Sequence, residues 1–320
     1  MISVVNSCKN TMELGSDSDL KYIDVEVIGT KFSMAYCDIG PKNGPVAVFI
    51  HGSPATYRAF KKLFHPLTEN GIRMIMPNFP GMGYTKLDDK GIYNFSSYQK
   101  AEIIKAFLRT IGIKRVDTLV GFSLGGHIVL RVCSDEKFDC VKSVTLLSSP
   151  GGSVHRLVRP LFMARIAGRL LYWLMHIPLI GYFVLHIFKY FYALLDLRGK
   201  TLESNIYSAY EGAQLDFELC QRDLISVSQR RLPVLMFHAD DDPIVEKEIA
   251  KENMEILSIS ADDVIRYDRN GECTSEKTFQ DADLYRAVWF EKGGHRLHIS
   301  WTDIVSNHIV SMISAVKSMI

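Results

Sequence analysis

The sequence predicts an α/β fold built on a mostly parallel, doubly wound sheet. Apolar runs such as residues 45–50 and, interrupted only by Arg73, 72–77 suit strands buried on both faces. Helix-period segments separate these runs, notably residues 97–111, where Ile103, Ile104, Phe107 and Leu108 share one stripe. At 320 residues and 47% apolar composition, the chain can also bury a large core. Strands alternating with helices imply right-handed crossovers, and such sheets bind ligands at the carboxyl ends of their strands.

In order, residues 22–28 and 31–38 read as a hairpin joined at Gly29-Thr30. The run 45–50 ends at His51-Gly52, and further buried strands are expected at 72–77, 116–120 and 141–147. After Ser149-Pro150-Gly151-Gly152 the strand signal stops, and a helical, apolar and basic stretch takes over until Pro233. Strand character returns at 233–237 and 284–290, with helices expected over 246–257 and from Asp303 onward. The expected organisation is a flexible N-terminal segment (1–20), a first part of the core (21–149), a helical insertion (150–231) and a second part of the core (232–320).

A net charge of +1 provides no single-signed field, and the basic residues are scattered outside the central stretch, so nucleic acid is not an expected partner. The six cysteines, Cys8, Cys37, Cys133, Cys140, Cys220 and Cys273, form no CxxC pair and no zinc-like spacing with histidine. No metal and no cofactor are expected. The first nineteen residues lack the basic and apolar regions of a secretory signal, which points to a reducing, cytoplasmic setting.

Gly121-Phe122-Ser123-Leu124-Gly125 matches G-x-S-x-G, with an apolar strand before it and the small residues Gly125-Gly126 opening a helix after it. A sharp strand-to-helix turn strains the serine, so its neighbours need to lack Cβ, and its hydroxyl is left exposed above the sheet. The helix N-terminus favours developing negative charge there. Two more motifs lie upstream, His51-Gly52-Ser53-Pro54 and Pro80-Gly81-Met82-Gly83. With these three motifs the chain resembles the lid-bearing group of the α/β-hydrolase superfamily, over about residues 22–320. The resemblance implies an α/β-hydrolase fold with a mostly parallel, eight-stranded sheet flanked by helices, and an inserted helical lid. Where the family usually carries an aspartate before the second glycine turn, this chain has Asn78, read as a change in turn packing.

The resemblance further implies Ser123 as nucleophile, with an oxyanion hole made by the backbone N–H groups of Ser53 and Leu124. The acid and base follow in chain order. No carboxylate occurs between Val144 and Leu195, so the acid is expected after the seventh strand, in Asp240-Asp241-Asp242. The family's D-x-x-V pattern selects Asp242, three residues before Val245; Asp240 and Asp241 are alternatives, otherwise solvated carboxylates capping a helix from near Pro243. His295, after Gly293-Gly294, is the implied base, with His298 as its rival; His51 and His127 are expected in packing or backbone hydrogen bonding.

Residues 154–200 are rich in aromatic and aliphatic side chains and carry Arg156, Arg159, Arg165, Arg169, Lys189, Arg198 and Lys200. Between Arg169 and Lys189 lie 19 residues without formal charge. A single membrane crossing there would separate Ser123 from Asp242, and His176, Pro178 and Gly181 favour two shorter helices joined by a turn. Two readings stay open: a lid lining an acyl pocket, or a lid that also meets a membrane surface through Tyr172, Trp173, Tyr182 and Tyr190. The expected function is hydrolysis of a lipophilic ester through an acyl-serine intermediate. Acyl transfer, amide, thioester or carbon-carbon bond cleavage and a non-catalytic ligand sensor are alternatives on the same site. Family members acting on epoxides or haloalkanes use an aspartate where Ser123 stands.

Overall fold

The computed structural model describes residues 17–27, 29–87, 93–194, 197, 199–280 and 282–318. Expectations for residues 1–16, including Cys8, for Ile28 at the end of the first expected strand, and for Arg198 lie outside the described residues. The chain opens on a hairpin: β1 (Leu20–Val27) and β2 (Thr30–Ile39) pair antiparallel, with Val27 opposite Thr30. Gly29 turns the chain at φ 69°, where a residue without Cβ is unstrained. There follow β3 (Val46–Ile50), α1 (Phe64–Glu69), β4 (Arg73–Pro77), α2 (Ser97–Thr110), β5 (Thr118–Phe122), α3 (Gly125–Cys133) and β6 (Val144–Leu147). The helical stretch then forms α4 (Leu161–Leu174), α5 (Ile180–Leu194), α6 (Leu202–Ala213) and α7 (Phe217–Gln229). The chain closes with β7 (Val234–Ala239), α8 (Lys247–Ile256), β8 (Val264–Tyr267), β9 (Tyr285–Phe290), α9 (Leu297–Ser300) and α10 (Thr302–Ser318).

The strands form one sheet in the order β1-β2-β4-β3-β5-β6-β7-β9-β8, parallel from β4 onward. It has nine strands among the described residues, one more than the eight expected. The additional one, β8, is a four-residue edge strand whose Arg266 is exposed and Tyr267 half-buried. An edge strand is covered on one side only, so it shows no long apolar run for a sequence pattern to detect. The interior strands are buried on both faces. Val48, Ile50 and Leu119 point into a core shared with α2, α3, α7 and α8. Ala47, Phe49 and Val120 point into a second core with α1 and α10. α2 buries the predicted stripe Ile103, Ile104, Phe107 and Leu108, each burial contributing about 1.5–3 kcal/mol, and Ser96 caps its start by accepting from the Gln99 N–H.

Asp17–Asp19 form a 3-10 turn, and the Asp17 carboxylate accepts from the Tyr84 hydroxyl at 2.6 Å, the Tyr57 hydroxyl at 3.0 Å and Arg58 at 2.7 Å. These partners lie far along the chain, where local sequence pattern carries no information about them.

The uncharged stretch falls in α4 and α5, separated by a turn at Pro178 and Leu179 (φ 68°). Among the described residues no helix is long and apolar enough to cross a membrane. Gly168 lets α4 approach α6, since a Cβ there would stand 2.5 Å from the Ala209 carbonyl oxygen. Trp173, Tyr182 and Tyr190 are exposed, but Tyr172, grouped with them in the sequence reading, turns inward and stacks on Tyr210 at 4.3 Å. α6 is fastened to the core by a buried ion pair, Lys100 Nζ to Glu211 Oε1 at 2.6 Å, with the ammonium 4.8 Å from the Phe79 ring centre. Burial works against the Lys100 charge and lowers its pKa, while Glu211 opposes that shift.

Removing one partner of such a pair leaves an uncompensated buried charge and costs about 3–5 kcal/mol, whereas apolar replacement of both is close to neutral. Glu211→Leu is therefore expected to lower the chemical-denaturation stability by that amount, and Lys100→Met/Glu211→Leu to recover most of it. A double variant as unstable as the single one would show that the pair is not what anchors α6.

Candidate active site

β5 ends at Phe122 and α3 begins at Gly125, which leaves Ser123 at the tip of a tight turn with φ 52°. Its N–H donates to the Leu147 carbonyl at 2.9 Å, and its own carbonyl accepts from the Gly126 N–H at 2.9 Å. The glycines are required by close approach. A Cβ on Gly121 would lie 2.7 Å from Gly126 Cα, and one on Gly125 would lie 2.3 Å from the Ile50 carbonyl oxygen. Gly52 admits its loop against the turn, since a Cβ there would meet Ser123 Cβ at 2.8 Å. This brings Ser53 beside Ser123 and Leu124, and all three line one cavity.

The loops after β7 and β9 converge on the serine. His295 Nδ1–H donates to Asp242 Oδ2 at 2.9 Å, and its Nε2 accepts from the Ser123 hydroxyl at 2.8 Å. A carboxylate can only accept, which fixes this tautomer. Asp242 is buried, and its Oδ1 also accepts from the N–H groups of Ile244 at 2.8 Å and Val245 at 3.0 Å. Burial raises its pKa, but the His295 hydrogen bond and charge and these two N–H groups outweigh it and hold the carboxyl below its ordinary value.

The three consecutive aspartates have three different tasks. Asp240 accepts from the Trp289 indole N–H at 3.0 Å. Asp241 accepts from the N–H groups of Gly293 and Gly294 at 2.8 and 2.7 Å, fixing the loop that carries His295. Both are exposed, as expected, but neither caps a helix: α8 starts at Lys247 with Glu246 at its N-cap. Their real partners sit some fifty residues away, beyond the reach of local spacing.

The rival histidines are committed elsewhere. His298 Nε2–H donates to the Ala59 carbonyl at 3.0 Å, and its ring packs edge-on against Phe122. His51 Nδ1–H donates to the Gly52 carbonyl at 2.7 Å while its Nε2 accepts from the Phe79 N–H at 3.2 Å, tying the β3 loop to the β4 loop. His127 packs edge-on against Phe217. Asn78, fully buried, accepts from the Tyr57 N–H at 3.0 Å and donates to the Ala35 carbonyl at 3.3 Å. An amide can do both at once; a carboxylate could only accept.

Ser123 stands between two spaces. One is a cavity of about 260 Å³ walled by α4, α5 and α6, with Ala167, Leu171, Phe188 and Leu215 among its apolar lining. His155 also faces it, buried, and among the described residues neither of its ring nitrogens has a hydrogen-bond partner. The other is a more polar space of about 410 Å³ bordered by Asp17, Arg58, Tyr84, Lys200, His295 and Arg296. His155 is not identifiable from sequence, because no periodicity fixes which side chains of the long segment between β6 and β7 turn toward the serine, and Asp17, Arg58 and Tyr84 reach the rim from separate segments that local pattern does not connect.

A model of the family described as alpha/beta hydrolase of unknown function (DUF1057) matches residues 15–314. The chain belongs to this family. An uncharacterized protein of Caenorhabditis elegans is 28% identical over 136 residues, 40% of this chain and 37% of that protein. A haloalkane dehalogenase of Mycolicibacterium paratuberculosis is 28% identical over 116 residues, 36% of this chain and 38% of that protein. The chain thus spans little more than a third of the length of these curated relatives. Among solved structures, an esterase from Exiguobacterium antarcticum matches with TM-score 0.61 and 19% identity, over 91% of this chain and 98% of that one. A bromoperoxidase from Bacillus anthracis matches with TM-score 0.61 and 16% identity, over 92% and 100%. These structural likenesses establish the shared α/β-hydrolase fold.

Burial pushes His51 down to about 3, and His127, His155, His238 and His298 down to about 4. In the unfolded chain these imidazoles take up protons near pH 6.5. Stability from keeping them neutral is fully present above about pH 6.5 and is lost as pH falls toward about 4. The lowered Asp242 pKa acts in the same direction at still lower pH. The thermal midpoint is expected to fall by roughly 10 °C or more from pH 7 to pH 4.5. A flat midpoint over that interval, measured by calorimetry, would contradict burial of these rings in neutral form.

Proposed function

We propose that this α/β-hydrolase family member is a serine hydrolase that cleaves esters of lipophilic acyl groups through an acyl-serine intermediate. The observation carrying the reading is the hydrogen-bonded series Ser123–His295–Asp242 at the mouth of an apolar cavity. Ser123 Oγ attacks the ester carbonyl as His295 Nε2 takes its proton, and Asp242 stabilises the imidazolium that forms. The N–H groups of Ser53 and Leu124 receive the carbonyl oxygen as it gains charge, reinforced by the N-terminus of α3, and losing one such donor costs about 10²–10³ in rate. Collapse expels the alkoxide, which leaves as the alcohol with the proton from His295. Water, deprotonated by the same nitrogen, then releases the acid and restores Ser123.

The two spaces beside Ser123 support a division of the substrate between them. The acyl chain lies in the apolar cavity beneath α4 and α5, which act as the lid, and the alcohol leaves through the polar side near Arg58 and Lys200. Haloalkane dehalogenation fits this site poorly. A serine that displaced halide would form an ether, which water does not hydrolyse, whereas a carboxylate nucleophile would form a cleavable ester.

Ser123→Ala is expected to abolish labelling by a fluorophosphonate probe and to reduce ester turnover by about 10⁴ or more; Asp242→Asn should reduce kcat by about 10⁴. In a series of esters graded in acyl length, kcat/KM is expected to rise from acetyl to medium chains, with amides turned over far more slowly. Undiminished labelling in Ser123→Ala, or a preference for amides, would refute the proposal.

A further inference from the structure

A water-facing helix ordinarily turns its apolar stripe inward, but α4 and α5 turn theirs outward. On α4, Phe162, Ile166, Leu170 and Trp173 recur at helical spacing, and each is half or more exposed. On α5, Phe183, Ile187, Tyr190 and Leu194 do the same. Against the body of the protein, α4 fully buries Gly168, and α5 Gly181 and Tyr192. Together the two stripes expose more apolar side chains than single scattered residues would explain.

The charge on this face has one sign. No acidic residue occurs in α4 or α5, while Arg169 and Lys189 are exposed and without an ion-pair partner among the described residues; Arg165, also exposed, donates to the Leu215 carbonyl. Two copies paired through this face would bring cations against cations. An anionic surface with an apolar interior matches both properties. The helices, at 14 and 15 residues, are about 21–23 Å long, short of the ~30 Å hydrocarbon core, so they lie along a bilayer rather than through it.

Leu157 and Phe191 line the cavity beside Ser123 and are also exposed to solvent. The cavity therefore reaches the surface at the edge of the same apolar face. We infer that the α4–α5 face seats on an anionic phospholipid bilayer, and that the cavity takes a membrane-resident lipid ester directly from the bilayer through the opening at Leu157 and Phe191. The second part rests on the serine-hydrolase reading, whereas the first does not.

The test uses the full chain, sedimented with phosphatidylcholine vesicles with or without phosphatidylserine, together with turnover of a short water-soluble ester and of a long-chain ester embedded in the vesicles. Binding is expected to favour the anionic vesicles roughly tenfold or more and to weaken with salt. Phe183→Asp/Tyr190→Asp and, separately, Arg169→Glu/Lys189→Glu should each lower binding by about tenfold or more. Both should keep the wild-type thermal midpoint and soluble-ester turnover while losing turnover of the embedded ester in proportion. No vesicle binding, binding untouched by either variant, or a dimer in light scattering that Phe183→Asp/Tyr190→Asp dissolves would overturn the bilayer assignment. If vesicle binding behaves as expected but no ester is cleaved, the docking face stands and delivery of substrate falls with the hydrolase reading.

Discussion

The backbone at Ser123 is the constraint on which the rest of the site depends. A non-glycine residue at φ 52° costs on the order of 1–3 kcal/mol, and it persists where surrounding structure over-determines it. Here a hydrogen bond from its N–H reaches β6, another returns from α3 to its carbonyl, and both β3 and α3 approach within distances that only glycine tolerates. The strain thus rests on the central strands, β3, β5 and β6, which are buried on both faces. Moving any of them would release the turn and withdraw the hydroxyl from His295.

Much of this was legible in the sequence, because the parts that matter are continuous. The apolar runs marked the interior strands, and a glycine pattern straddling a strand and a helix marked the turn. The family's D-x-x-V pattern pointed to Asp242, whose Oδ1 accepts from the Val245 N–H. What escaped was made by encounters between distant segments. β8 has too few inward positions to leave a pattern; Asp17 gains its place from Tyr57, Arg58 and Tyr84; Tyr172 is turned inward by Tyr210. Chain alternation also cannot foretell that the helices between β6 and β7 present their apolar stripes to the outside.

The two sides of Ser123 differ in kind as well as in residue type. On the cavity side the walls are helices, held to one another by contacts such as the stack of Tyr172 on Tyr210 and to α2 by the Lys100–Glu211 pair. On the polar side they are short loops anchored by the Asp17 hydrogen bonds and by Asp241. Low burial and long apolar helices favour local opening at modest free energy, whereas a loop pinned by several hydrogen bonds moves little. Change in the shape of the site is therefore concentrated in the helical wall, while the groups nearest the serine stay fixed.

The run Asp240-Asp241-Asp242 sets a limit of another kind. Its members are chemically identical, and only their order distinguishes the one that orients an imidazole from the one that clamps a glycine pair and the one that holds an indole. A slip of one residue in this loop would leave composition, charge and hydropathy unchanged and yet hand every partner the wrong carboxylate. The segment is repetitive to read but has no redundancy: its information lies in the count of residues from the end of β7 as much as in their chemistry.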